Sequence, residues 1–180
     1  NLHRAIEAGN TAEAINLIKE GADIHTTNKY GYIPLTVAAR LGNTNLVDIL
    51  LLKGANIYAI DMSKMTPLHW AAYNGHDNTA KLLVAWNANI NTVTNFGQTP
   101  LQFAAYEGYT GVVEFLLSKG ADIHTTNKLG DTPLHSAANR DNRGQANIVN
   151  LLVDRGANIN ATNNDGKTPL HLAACSGNSK

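Results

Sequence analysis

An all-α repeat solenoid is the fold class this sequence predicts, from two residue series with one shared period and from the short amphipathic helices between them. Its prolines, Pro34, Pro67, Pro100, Pro133 and Pro169, are separated by 33, 33, 33 and 36 residues. Gly21-Ala22, Gly54-Ala55, Asn87-Ala88, Gly120-Ala121 and Gly156-Ala157 step by the same 33, 33, 33 and 36. Two series with one period and one common exception mark an internal repeat.

Four of the repeats start a helix at a Thr-Pro pair. Thr66-Pro67, Thr99-Pro100, Thr132-Pro133 and Thr168-Pro169 place a hydroxyl at the N-cap and a proline where the missing N–H had no helical partner. A short apolar helix follows, as in Leu68-His69-Trp70-Ala71-Ala72, and paired alanines recur at positions 38–39, 71–72, 104–105, 137–138 and 173–174. Their small side chains let neighbouring helices approach closely. Gly42, Gly75 and Gly108 end this helix. A second helix shows the 3.6-residue period in Leu46, Ile49, Leu50 and again in Val112, Phe115, Leu116. It stops at Gly54 or Gly120, where a left-handed C-cap is expected, and Asn87 takes that place once. An extended stretch such as Ala121-Asp122-Ile123-His124 then leads into a turn. Isolated helices shorter than roughly 12–15 residues are marginal in water, so these must be stabilised by stacking on their neighbours.

The stretch Met65-Thr66-Pro67-Leu68-His69-Trp70-Ala71-Ala72-Tyr73-Asn74-Gly75-His76 closely resembles the ankyrin repeat signature, and so does Gly166-Lys167-Thr168-Pro169-Leu170-His171-Leu172-Ala173-Ala174. The resemblance covers essentially the whole chain as about five and a half repeats. It implies a single domain over 1–180, a curved stack of helix-turn-helix pairs with a β-hairpin loop per 33-residue unit. The repeats divide approximately as 1–27, 28–60, 61–93, 94–126, 127–162 and an incomplete 163–180. The chain starts without Met or a signal-peptide pattern and ends soon after a first helix, so a longer parent protein is expected.

Some positions depart from the pattern. Ile33 stands where other repeats carry Thr, and Lys64 where they carry Gly, which makes those two joints the places to look for altered turn geometry. The 36-residue step puts three extra residues within 139–143, between the two helices of that repeat. A polar insertion in a loop costs little, so it reads either as tolerated drift or as a specificity loop at the edge of a binding face.

Composition excludes several function classes. Net charge is zero and the pI about 7.2, giving no support to nucleic-acid binding, which draws most of its affinity from phosphate neutralisation. No apolar run reaches roughly 18 residues, so membrane insertion by this segment is not expected. Cys175 is the only cysteine, which rules out an intramolecular disulfide and fits a reducing, intracellular location. Of seven histidines, His69, His135 and His171 share one slot with His3, and the same slot holds Thr36 and Gln102 elsewhere. A metal site would not survive those replacements, whereas a hydrogen-bonding role would. His25 and His124 share another slot, and His76 stands in a third; neither set forms a ligand cluster by spacing. No nucleophile elbow, P-loop or glycine-rich phosphate motif is present, so neither catalysis nor a cofactor is expected.

The resemblance implies that a partner protein is met by hairpin tips and the inner face of the first helices. Carried onto this chain, the candidate partner-binding residues are Tyr30, Tyr32, Met62, Met65, Tyr73, Asn74, Phe96, Tyr106, Glu107, Leu129 and Arg140. Tyr, Phe, Met and Arg are enriched at protein interfaces. The alternative for some of these is packing against neighbouring turns, Met65 and Tyr32 first among them. Trp70 and Phe103 fall on the usual Leu position and are expected in the core, and Trp86 is expected to be partly exposed. The leading expectation is a monomeric protein-interaction scaffold without catalysis. Two alternatives stay open: a targeting or spacer segment of a multidomain effector, channel or signalling enzyme, and a substrate of an ankyrin asparagine hydroxylase. The last rests on Asn91 and Asn160, which follow Asn-Ala-Asn-Ile and Gly-Ala-Asn-Ile, with Leu83 and Leu152 eight residues upstream.

Overall fold

The computed structural model describes residues 1–140 and 145–176. Eleven helices and no strand occur among them: α1 (Leu2–Glu7), α2 (Thr11–Lys19), α3 (Pro34–Arg40), α4 (Thr44–Leu52), α5 (Pro67–Tyr73), α6 (Asp77–Ala85), α7 (Pro100–Glu107), α8 (Thr110–Ser118), α9 (Pro133–Ala138), α10 (Gln145–Asp154) and α11 (Pro169–Cys175). Odd-numbered helices are the first of each repeat and even-numbered ones the second. The chain forms two compact bodies, Asn1–Asn89 and Ile90–Lys180.

In the N-terminal body α1, α3 and α5 pack in sequence, α2, α4 and α6 do likewise, and each first helix packs on its own second helix. Leu35, Leu46, Leu50, Leu68 and Leu83 are fully buried, with Ala38, Ala39, Ala71 and Ala72 between the layers. The C-terminal body repeats the scheme with α7, α9 and α11 in one row and α8 and α10 in the other, around Leu101, Leu116, Ile148 and Leu152. Leu170 holds the same repeat position as Leu35 and Leu68 yet is 77% exposed, whereas they are 0% and 1%. No helix among the described residues is long and apolar enough to cross a membrane.

The helix ends follow the sequence. Thr66, Thr99, Thr132 and Thr168 cap α5, α7, α9 and α11 through capping boxes closed by His69, Gln102, His135 and His171. Ile33 caps α3 without a side-chain bond. The second helices close in Schellman motifs: Gly54 N–H donates to Leu51 O and Ala55 N–H to Leu50 O, with Gly54 at φ 87°. Asn87 performs the same closure at φ 64°, as its amide permits.

At the joints the chain reverses in turns rather than in strand ladders. Each turn is closed by a backbone pair such as Asn28 N–H to Tyr32 O and Gly31 N–H to Asn28 O. One side chain organises every turn. Asn28, Asp61, Thr94, Asn127 and Asn163 each accept from the backbone N–H groups two and four residues on. The joints flagged at Ile33 and Lys64 keep this geometry. Lys64 adopts it at φ 60°, where the corresponding Gly31, Gly97, Gly130 and Gly166 lie between 71° and 79°.

Candidate protein-binding surface

The shared His/Thr/Gln slot links neighbouring repeats. Thr66 N–H donates to His69 Nδ1 at 3.1 Å, and Thr132 N–H to His135 Nδ1 at 3.2 Å. An accepting Nδ1 fixes the Nε2–H tautomer. At His135 that Nε2–H is then free to donate onward, reaching Lys167 O at 3.0 Å; His3 Nε2 likewise donates to Tyr32 O at 2.8 Å. Gln102 does the same work with an amide, its Oε1 accepting from Thr99 N–H and its Nε2 donating to Asp131 O at 2.7 Å. At His3, Gln102 and His135 the slot is a hydrogen-bonding clamp that aims the following joint. No group of three His, Cys, Asp or Glu able to hold a metal occurs among the described residues.

A second clamp escaped the sequence reading. His76 Nε2 donates to Arg40 O at 3.0 Å, and Gln145 Nε2 donates to Tyr106 O at 2.7 Å. Each satisfies a carbonyl that the C-terminus of a first helix leaves without a helical partner.

With its joints fixed, the N-terminal body brings four aromatic rings into one ladder. Tyr30 and Tyr32 lie 5.6 Å apart, Tyr32 meets Trp70 edge-on at 5.5 Å, and Trp70 meets Tyr73 edge-on at 5.9 Å. Lys29 Nζ stands 4.8 Å from the Tyr30 ring and Arg40 Cζ 5.9 Å from the Tyr32 ring. Tyr30, Met62 and Tyr73 are exposed, at 51%, 77% and 38%. Tyr32 and Asn74 are half-buried, and Asn74 Nδ2 donates to Trp70 O. Met65 is buried at 8%, which withdraws it from the surface, in line with its expected packing role. Burial and the nearby Asp61 carboxylate raise the Tyr32 phenol above its usual value, opposed by Arg40.

Trp70 corrects the sequence reading. It is half-buried in the ladder and its Nε1–H donates to Asp61 Oδ2 at 2.9 Å. Its slot holds Val37, Ser136 and Leu172 in other repeats, all buried, so an indole is too large for it and extends to the surface. Phe103 is half-buried for the same reason. Both the oversized side chain and the indole N–H requiring an acceptor were readable in the sequence. Trp86 caps α6 at 36% exposure and bonds Asp48, as a partly exposed residue should.

In the C-terminal body the candidates separate. Phe96 and Leu129 are exposed joint tips, at 66% and 64%. Tyr106, Glu107 and Arg140 form one cluster: Arg140 Cζ lies 5.1 Å from the Tyr106 ring, and its Nη1 is 2.6 Å from Glu107 Oε2. Within the insertion 139–143, Asn139 is exposed and Arg140 half-buried; residues 141–143 lie outside the described residues. Asn91 and Asn160 are both exposed. Asn91 Oδ1 accepts from Asp122 N–H at 2.9 Å.

A family model described as ankyrin repeats (3 copies) matches residues 2–94, 61–127, 87–163 and 119–180. No curated protein matches the sequence.

Proposed function

Because the chain belongs to the ankyrin-repeat family, whose repeats are generally protein–protein interaction modules, we propose that it is a non-catalytic scaffold that binds a partner protein mainly through the aromatic ladder of its N-terminal body. The observation that supports this is the ladder itself. Tyr30, Tyr32, Trp70 and Tyr73 touch one another while leaving Tyr30 and Tyr73 open to solvent, with exposed Met62 at the neighbouring tip. A rigid aromatic surface gives large contact area at small entropic cost, and Tyr adds a polar end. The contributing residues sit on a helix and on joints fixed by side-chain clamps, so the surface is organised before a partner arrives.

Affinity capture from a cell lysate tests this, comparing the wild type with a Tyr30→Ala/Tyr73→Ala variant whose helicity is unchanged by circular dichroism. A protein retained by the wild type and lost by the variant is the expected outcome, since truncating aromatic anchors costs on the order of 2 kcal/mol each. Equal capture by both proteins would remove the ladder as the binding site.

A further inference from the structure

Beside the ladder a cleft of about 780 Å³ opens between the first two repeats, and its walls carry Glu7, Lys29, Tyr30, Tyr32 and Arg40. Arg40 is the unusual member. Its Nε is buried with no hydrogen-bond acceptor in the protein, and its guanidinium is held by contact with the Tyr32 ring rather than by a carboxylate. Leaving a buried charged donor unpaired is expensive, and such groups in native proteins call for an explanation. A guanidinium presents a planar fork that matches a carboxylate through two parallel bonds.

We propose that this cleft receives an Asp or Glu side chain of the partner protein, with the neighbouring apolar or aromatic residue of the same segment lying on the ladder. The inference rests on the protein-binding reading and adds the chemistry of the partner. Charge complementarity supports it: Lys29 and Arg40 against Glu7 leave one positive charge in excess. Glu7 already accepts from Asn28 Nδ2 and stays on the wall, where its negative charge penalises a dianionic phosphate more than a carboxylate. His3 contributes no second charge-seeking donor, because its Nε2 is committed to Tyr32 O.

The test selects phage-displayed random peptides on the whole chain, then measures synthetic copies by fluorescence anisotropy. Selected peptides are expected to pair Asp or Glu with an apolar neighbour, and changing that acid to its amide should weaken binding about tenfold. Against Arg40→Gln the acid and amide peptides should bind equally. Glu7→Gln, at an exposed position, should tighten the acidic peptide about threefold, a gain that a damaged fold would not produce. Peptides that lack an acid, that ignore the acid-to-amide change, or that bind more tightly with phosphoserine in its place overturn the carboxylate assignment and leave the protein-binding reading standing. A chain that retains no peptide overturns both.

Discussion

Lys64 holds a left-handed backbone conformation, φ 60°, at a turn position where the other joints use glycine. The conformation costs an L-residue roughly 1–2 kcal/mol, and glycine returns part of that as lost chain entropy. Lys64→Gly is therefore expected to raise stability by about 0.5–1 kcal/mol in urea denaturation; a loss would mean that the lysine side chain holds the turn. Tyr32 offers a second check. Burial first, and then the Asp61 charge, raise its folded pKa above the ordinary value of about 10. The folded state thus keeps this proton at pH values where the unfolded chain has lost it. The contribution to stability is complete below the unfolded value and is lost as pH rises through the folded one. Absorbance titration of wild type against Tyr32→Phe should show a phenol ionising late, and the variant should lose less stability in that alkaline range. Residue-scale legibility was uneven. The caps at Thr66, Thr99, Thr132 and Thr168 could be read directly, because a cap and its partner lie three residues apart. The slot of Trp70 points to the core, but its ring is too large for that slot and is half-buried.

Elements are joined by side chains that reach across a repeat to backbone carbonyls. Gln102 and His135 meet the same demand with different chemistry, accepting from the N-cap N–H and donating to the next joint. Gln102→His should accordingly change stability by less than about 0.5 kcal/mol, whereas Gln102→Leu should cost about 2–3 kcal/mol by removing half the capping box and orphaning buried groups. Thermal denaturation of the two variants decides this, and equal losses would show that the slot is filled by shape alone. The interchange of His, Gln and Thr had pointed to hydrogen bonding, since all three donate and accept. What that pattern left out was the partner. The acceptors Asp131 O and Lys167 O lie 29 and 32 residues away and carry no side-chain signature. The same blindness hid the clamps of His76 and Gln145 and the turn-organising role of Asn28, Asp61, Thr94, Asn127 and Asn163. Their significance is backbone geometry, which the sequence reveals only once the joints are aligned.

Across the molecule, the repeat period gave the architecture, and packing between successive helices replaces a single central core. Stability should therefore be lost locally. Leu50→Ala, in the wholly buried interior of α4, is expected to cost about 2–4 kcal/mol and to raise amide exchange first in α3, α4 and α6. Uniform loss of protection throughout the chain would contradict nearest-neighbour packing. The candidate surface was legible as a set of residues but not as a shape. Sequence placed Tyr30, Tyr32, Met62, Met65, Tyr73, Phe96 and Tyr106 in one run, while the structure joins Tyr30, Tyr32, Trp70 and Tyr73 ring to ring, buries Met65 and leaves Phe96 as an exposed tip in the C-terminal body. Which rings meet depends on Trp70 projecting from a slot that smaller residues fill elsewhere, and no periodicity conveys that. The most direct test of the account is hydroxyl-radical footprinting of the chain with and without a captured partner. Protection of Tyr30, Met62, Trp70 and Tyr73, with Tyr58 and Trp86 unchanged, is the predicted result. Protection of Tyr58 and Trp86 while the ladder stays reactive would contradict it.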